Sequence, residues 1–198
     1  MSLLVQLIED IDDPKEKEEL IKEVKTISSN LNTTIEHLNE IVTIQTNNNQ
    51  ERVPVKFIDA LKLVLNGISH MISNSNCKID ADFSEFQEVK YIKAYMESIL
   101  LNLITNAIKY KHQDREPIIM IKTYIENGNK YLKFSDNGKG IDLTLFKDKI
   151  FGMYKTFHYN EDAVGIGLFL TKNQIESLGG NITVESEVDK GTTFTIEF

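Results

Sequence analysis

Apolar positions change their spacing near residue 50, and the change divides the chain into two parts. From residue 20 to residue 45 they recur at alternating steps of four and three, the pattern of a helix that buries one face in a helical bundle. Asp13 and Pro14 stand before this stripe as an N-cap and a first helical residue. Residues 1–46 are therefore predicted to form an antiparallel helical hairpin that pairs with a second copy of the chain.

The part after residue 53 mixes helix and strand patterns without a regular alternation of the two. Helical spacing is predicted for residues 57–72, 91–110 and 167–178. Strand patterns cover residues 53–57, 77–83, 117–126, 130–135, 181–187 and 192–198. Asn127-Gly128 predicts a hairpin turn between the strands at 117–126 and 130–135. The predicted fold class is α+β: a two-layer α/β sandwich with three helices on one face of a mainly antiparallel sheet of about five strands. Polar turn formers at residues 47–52 are interpreted as a linker, so that the second domain is residues 53–198.

A polar stripe interrupts the most apolar of these helices, residues 91–110. Asn102, Asn106 and Lys109 recur on one side of it at helical spacing. The apolar surface predicted to hold the helix in a core is supplied by Ile92, Ile99, Leu103 and Ile108. Buried amides and ammonium groups must be satisfied, and a Mg²⁺ ion with the phosphates that it neutralises would satisfy them. The alternative is that these asparagines cap or bridge neighbouring backbone. The stripe alone leaves both readings open.

A turn with the sequence DNGKG follows the predicted strand at residues 130–135. Gly138 and Gly140 allow the backbone to turn sharply and to approach a ligand closely. Asp136 stands where a carboxylate can accept a hydrogen bond from an exocyclic amine. By itself such a sequence is more often only a turn, so its function depends on its surroundings.

A second pair of glycines, Gly165 and Gly167, opens a helix and is followed by Leu168. Amide N–H groups at a helix N-terminus can hold phosphate, although neither a Walker loop nor a dinucleotide fingerprint is present. Residues 146–164 before it have no clear period, which is typical of a functional flap. Lys155 is the natural phosphate contact of that flap.

Charge and composition exclude several classes of function. The 198 residues include 30 Asp and Glu against 22 Lys and Arg, and the net charge of −8 argues against nucleic-acid binding and anionic membranes as main functions. The one cysteine, Cys77, excludes an intramolecular disulfide and favours a reducing compartment. No run of about eighteen apolar residues is present, so no membrane contact is expected of this chain and a cytoplasmic location is predicted. A membrane anchor elsewhere in a parent protein remains open.

The separate signals together resemble the catalytic ATP-binding domain of bacterial sensor histidine kinases. The motifs, in order, are NxxxNAxKY at 102–110, DxGxG at 136–140, IFGMYK at 150–155, GxGL at 165–168 and GGxIxVxSxxxxGTxF at 179–194. They match that family's N, G1, F and G2 boxes and its terminal strands over about residues 53–198. The family shares its sandwich with gyrase B, Hsp90 and MutL, and residues 1–46 resemble part of the kinases' dimerisation and phosphotransfer hairpin.

The resemblance implies a role for each matching residue. It implies ATP and Mg²⁺ as ligands, with Asn106 as the principal metal ligand and Asn102 assisting at the metal and phosphates. Lys109 would contact phosphate, Tyr110 would pack beside the nucleoside, and Asp136 would accept from the adenine amino group. The supporting and lid residues implied are Gly138, Gly140, Thr192, which would support Asp136 through water, Lys155, Gly165, Gly167 and Leu168.

Asn102 also bears on the reaction. Hydrolysing relatives place a glutamate base at the equivalent helix position, so asparagine argues for phosphoryl transfer to a protein side chain. Lys155 stands where the family's lid usually has arginine, and it offers a point charge instead of a fork. The rival hypotheses are a hydrolysing ATPase of the same superfamily and a non-catalytic dimerisation and docking module.

The acceptor half of the reaction has no counterpart in the sequence. Such kinases phosphorylate a histidine in a motif like HExRxP or HNxRxP, and no such motif occurs here. His37 lies in the hairpin but lacks the basic and proline positions. The acceptor is therefore expected upstream of residue 1, in a longer parent whose partner is a response regulator. This chain would then bind ATP without phosphorylating itself.

Overall fold

A computed structural model describes residues 13–28, 35, 51–146, 149–152 and 166–198. The chain forms two compact units, Met1–Glu40 and Ile41–Phe198. In the first unit, residues 14–28 form helix α1. The Lys15 backbone N–H donates to the Asp13 carboxylate over 2.9 Å, which confirms the predicted N-cap. The rest of the predicted hairpin, apart from residue 35, lies outside the described residues.

The described part of the second unit contains seven strands. They are β1 (Val53–Lys56), β2 (Lys78–Asp82), β3 (Glu88–Tyr91), β4 (Ile118–Glu126), β5 (Asn129–Asp136), β6 (Asn181–Glu187) and β7 (Gly191–Glu197). Five of them form one mixed sheet in the order β2-β4-β5-β7-β6. Only the β2–β4 pair is parallel, so the predicted, mainly antiparallel sheet is confirmed. Asn127 and Gly128, with φ of 52° and 85°, form the predicted hairpin turn between β4 and β5.

The first strand has a partner that the sequence analysis missed. β1 pairs antiparallel with β3 in a separate two-stranded sheet, where Val53 lies opposite Tyr91. The helix predicted to start at residue 91 therefore starts later, because Tyr91 ends a strand. β3 has four residues, and only two of their side chains point inward. An alternation this short is not distinguishable from the apolar pattern of the helix that follows it.

The described part of the second unit also contains five helices. They are α2 (Phe57–Gly67), α3 (Ser69–Ser75), α4 (Lys93–Lys109), the short α5 (Leu143–Phe146) and α6 (Gly167–Glu176). The single helix predicted over residues 57–72 is divided, because Ile68 leaves the helical region at φ −115° and ψ 21°. No helix in the described ranges is long and apolar enough to cross a bilayer.

The core lies between α4 and the inner face of the sheet. Side chains alternate strictly along β4, where Ile119 and Ile121 are buried while Met120 is exposed. From α4, Ile99 and Leu103 are each 1% exposed, as the apolar side of the predicted helix requires. Each such side chain stabilises the fold by about 1.5–3 kcal/mol. This burial fixes α4 rotationally, so the polar stripe has to point along the remaining side.

Candidate active site

Three motifs that are far apart in the sequence meet around α4. The DNGKG turn touches the C-terminal end of the helix, where the Lys139 N–H donates to the Tyr110 carbonyl over 3.0 Å. The start of α6 packs against the middle of α4, where Gly167 lies against the Asn102 side chain. The two glycine-containing motifs therefore flank the polar stripe that the sequence singled out.

The two asparagines of α4 are linked to each other and to α6. Asn106 donates its amide nitrogen to the amide oxygen of Asn102 over 3.2 Å. Asn102 in turn donates to the hydroxyl of Thr171 on α6 over 2.7 Å, and Thr171 is only 1% exposed. One helical turn away, Gln174 donates to Ser98 over 3.0 Å. We call the two bonds that cross between the helices, Asn102 to Thr171 and Gln174 to Ser98, the α4–α6 polar contacts. The asparagine side chains therefore bond to other side chains, whereas the alternative interpretation of the stripe expected them to cap or bridge backbone.

Gly167 leaves no room for a side chain while Asn102 keeps its place. A Cβ built there would lie 2.1 Å from Oδ1 and 2.8 Å from Cγ of Asn102. Any side chain would therefore displace Asn102 or push α6 away from α4. Leu168, the next residue of the motif, is half-buried and packs against the hydrophobic core.

Lys109 and Tyr110 stand together at the end of α4. The Lys109 ammonium lies 5.9 Å from the centroid of the Tyr110 ring. Tyr110 is half-buried, and this burial raises the pKa of its phenol.

Asp136 ends β5 with its carboxylate partly buried. Its Oδ1 accepts the Gly138 N–H over 2.7 Å, and the Thr192 N–H donates to the same carboxyl group. Burial raises the pKa of this carboxyl, while the two N–H donors and the charge of Arg115 act in the opposite direction. Gly138 lies so close that an added Cβ would meet Asp136 Oδ1 at 2.8 Å. Gly140, with φ of 67°, packs against the Glu187 carbonyl.

Thr192 lies opposite Asp136 in the β5–β7 register. Its hydroxyl oxygen is 2.9 Å from the Ser186 hydroxyl oxygen. Ser186 also donates to the Gly191 carbonyl and accepts the Ile141 N–H, both over 2.8 Å. Thr192 therefore supports Asp136 through its backbone. Its hydroxyl contacts Ser186 within the β6–β7 hairpin, and Ser186 joins that hairpin to the loop after DNGKG. A water-mediated role for that hydroxyl at Asp136 stays a prediction.

Sequence reasoning missed Arg115, whose guanidinium holds the DNGKG turn from outside. Its Nε donates to the Asn137 carbonyl over 2.6 Å, and its Nη2 donates to the Gly138 and Asp189 carbonyls over 2.8 and 2.5 Å. The available signal was that the chain has only two arginines and one of them lies in the loop before β4. Spacing gave no hint of it, since the loop has no period.

Two expected site residues, Lys155 and Gly165, lie outside the described residues, as does His37. The beginning of the IFGMYK motif is described. Ile150 is 1% exposed, and the Phe151 ring lies 5.6 Å below the Lys172 ammonium of α6. This part of the motif therefore packs against the same helix that supports Asn102.

The asparagines fit a magnesium ion whose coordination is only partly supplied by the protein. No group of three His, Cys, Asp or Glu that could hold a metal occurs within the described ranges. A hard cation bound here would have amide oxygens from the protein and would complete its coordination with water and substrate phosphates, which is a common arrangement for Mg²⁺. Asn106 uses its nitrogen toward Asn102, so its oxygen is the atom for that purpose.

Comparison with known proteins gives one family. A sequence profile described as "Histidine kinase-, DNA gyrase B-, and HSP90-like ATPase" matches residues 93–198. The protein described as "Signal transduction histidine-protein kinase ArlS" from Staphylococcus aureus (strain USA300) is 27% identical over 192 residues. The match covers 89% of this chain but 42% of that protein, so the chain spans about two fifths of the length of such curated relatives.

Solved structures with the same fold include histidine kinases. The Acinetobacter baumannii histidine kinase AdeS matches with a TM-score of 0.72 at 22% identity, over 100% of this chain and 91% of that one. Full-length ShkA in complex with AMPPNP matches with a TM-score of 0.72 at 18% identity, over 96% of this chain and 40% of that one. At these identities the structural likeness shows only that the fold is shared. The family relationship rests on the match to the sequence profile.

Proposed function

The chain belongs to the histidine kinase-, DNA gyrase B- and HSP90-like ATPase family, and on that premise we propose that it is the ATP-binding catalytic part of a two-component sensor histidine kinase. It would donate the γ-phosphoryl group of ATP to a protein histidine. That group would then pass to an aspartate of a response regulator. In this proposal residues 1–46 mediate homodimerisation, residues 53–198 bind ATP, and both act in the cytoplasm.

The convergence of three motifs on α4 is the observation that carries the proposal. Asp136, at one end, offers a carboxylate acceptor suited to the amino group of adenine. Lys109 stands beside Tyr110 at this end of α4, and the asparagines lie further along the helix, where the phosphates of a bound nucleotide would have to reach. The site therefore offers a hydrogen-bond acceptor for the adenine base, a ring surface beside the nucleoside and a polar region for the phosphates, and this order matches the order of the parts of ATP.

Each residue then has a chemical role. Asn106, assisted by Asn102, would hold Mg²⁺, and the ion when bound would neutralise charge on the phosphates. Lys109 would add a positive charge to that region, and the ring of Tyr110 would pack beside the base. Lys155, Gly165, Gly167 and Leu168 would close over the phosphates, while Gly138, Gly140 and Thr192 would keep the Asp136 turn in shape.

Transfer is favoured over hydrolysis by the chemistry of Asn102. During transfer the bond between the γ-phosphorus and the bridging oxygen of ADP breaks as a bond to the histidine nitrogen forms, so no water has to be deprotonated. A hydrolase needs a general base near the γ-phosphate. An amide cannot act as that base, and the amide of Asn102 is already engaged with Thr171 and Asn106.

Titration with a non-hydrolysable ATP analogue, with and without Mg²⁺, tests the proposal. We expect saturable binding that Mg²⁺ strengthens and that Asp136→Asn weakens about tenfold or more, the range for a buried hydrogen-bonding group left mismatched. The amide would oppose its NH₂ group to one of the donors that now serve the carboxylate. No saturable binding, or binding indifferent to Asp136→Asn, would refute the site. Steady phosphate release without a phosphoprotein would favour the hydrolysing alternative.

A further inference from the structure

The guanidinium of Arg115 donates its three described hydrogen bonds to backbone carbonyls and not to a carboxylate. Two of its three acceptors, Asn137 and Gly138, directly follow Asp136, at 2.6 and 2.8 Å. Hydrogen bonds from a charged donor are stronger than those between neutral groups, and the rigid fork of arginine fixes several acceptors at once. The backbone that leaves Asp136 is therefore held at successive carbonyls by one side chain.

The Asn137 side chain joins the turn after β5 to the segment before β4 a second time, in the opposite direction. The Asn137 side chain accepts the Ile118 N–H over 2.8 Å and donates to the Glu116 carbonyl over 3.0 Å. Arg115 thus reaches from the loop before β4 to the turn after β5, and Asn137 reaches back. This reciprocal pair resists sliding of the turn along the end of β4, which a single bond would not.

A third bond extends this arrangement to the β6–β7 hairpin. Arg115 Nη2 donates to the Asp189 carbonyl over 2.5 Å, while the Asp189 N–H donates to the Lys139 carbonyl over 2.7 Å. Asp189 has a left-handed backbone with φ of 62°. The hairpin whose strand β7 supplies the Thr192 N–H to Asp136 is therefore fixed by the same guanidinium.

We propose that Arg115 is a positioning residue for base recognition, and that its contacts with three carbonyls set the preference of the site for adenine. This inference rests on the proposed function. Both N–H groups that orient the Asp136 carboxylate belong to segments that Arg115 holds. A shift of either segment would turn the carboxylate away from the exocyclic amine, and the site would lose discrimination more than it loses phosphate binding.

The test compares the affinities for ATP and for inosine triphosphate, which lacks the 6-amino group, in the full chain with Mg²⁺. Arg115→Gln removes the fork, and Arg115→Lys retains the charge on a single point. We expect the preference for ATP over the inosine nucleotide to fall about tenfold in Arg115→Gln, and by less in Arg115→Lys. A residue that only stabilises the fold would lower the Tm and leave this ratio unchanged.

Arg52→Gln is the matched control. Arg52 also donates to a carbonyl, that of Leu178, over 3.3 Å. Leu178 precedes β6, whose first residue pairs with Glu197, whereas Asp136 pairs with Thr192 at the other end of β7. This variant should leave the ratio at its wild-type value.

The outcomes separate this inference from the function on which it rests. A wild-type chain that binds neither nucleotide, or binds both equally, overturns the proposed function and this inference together. A wild-type preference for ATP that persists unchanged in Arg115→Gln overturns this inference alone. If Arg115→Gln does not fold, an unchanged ratio in Arg115→Lys decides in the same way.

Discussion

At the scale of single residues, Asp136 is balanced between two opposing influences. Burial raises the pKa of its carboxyl group, and the N–H groups of Gly138 and Thr192, with the charge of Arg115, limit that rise. The carboxylate is therefore partly desolvated and already oriented before any ligand arrives. A group in this state can distinguish a donor from an acceptor on a base more sharply than one in water.

This balance predicts a pH dependence of nucleotide affinity. The pKa of Asp136 is raised in the folded chain, so the carboxylate gains a proton at a higher pH than an ordinary aspartate does, for which the value is about 3.9. The neutral acid no longer accepts fully from both N–H donors and the adenine amine. Affinity should be constant above the raised pKa and fall as the pH drops through it, as measured by calorimetric titration with the ATP analogue.

Asp136→Asn is the control for that titration, because its affinity still changes with the protonation of the nucleotide phosphates. Its weaker binding should follow only the phosphate titration. A wild-type affinity that follows the same curve as the variant, down into the range of an ordinary carboxyl group, would contradict the role given to Asp136.

At the scale of elements, the junction of α4 and α6 is held by buried polar side chains. The α4–α6 polar contacts are buried at Thr171 and Gln174, which are 1% and 3% exposed. Polar groups in such a place hold the two helices in one register, because any sliding leaves a buried donor or acceptor unpaired. The apolar contacts of the same helices would tolerate more displacement.

Gly167→Ala should damage this junction. The new Cβ would approach Asn102 Oδ1 to 2.1 Å, so Asn102 must rotate or α6 must move. We expect the affinity for the ATP analogue with Mg²⁺ to fall about tenfold and the free energy of unfolding to fall by about 1–3 kcal/mol, the range for overpacking. Calorimetry and urea denaturation measure the two effects.

Gly67→Ala provides the comparison for that variant. Gly67 ends α2, and no atom lies within 4 Å of a Cβ built there. The substitution should leave nucleotide affinity unchanged and leave stability equal or slightly raised, because alanine favours a helix more than glycine does. Equal effects of the two substitutions would mean that the contact of Gly167 with Asn102 is unimportant.

Local pattern predicted the elements that have strong periodicity or a strong turn signal. The Asn127-Gly128 turn and the buried side of α4 at Ile99 and Leu103 were predicted for the reasons that the structure confirms. Contacts made by side chains across long sequence distances have no period. The three bonds of Arg115 therefore could not be predicted, and neither could the pairing of Thr171 with Asn102.

At the scale of the whole molecule, the chain consists of two compact units of unequal size. The family profile covers residues 93–198, within the larger unit. That unit contains both sheets and every site residue described above. Nucleotide binding should therefore be a property of the larger unit by itself.

A chain reduced to residues 47–198, the predicted linker with the predicted second domain, should fold and bind the ATP analogue. We expect an affinity within about twofold of the full chain, and a single cooperative unfolding transition, as is usual for a domain of this size. Circular dichroism and calorimetry check both points. An unfolded fragment, or one that has lost binding, would contradict the predicted domain division.

The amide of Asn102 has a thermodynamic consequence because it belongs to two contacts at once. Its nitrogen is bonded to Thr171 of α6, and its oxygen accepts from Asn106. A ligand that drew this oxygen away would give up one bond and strain the other, so ligand binding and the placement of α6 would share a coupling free energy. Such coupling is reciprocal: whatever shifts α6 must change the affinity at Asn102 by the same factor by which the ligand shifts α6.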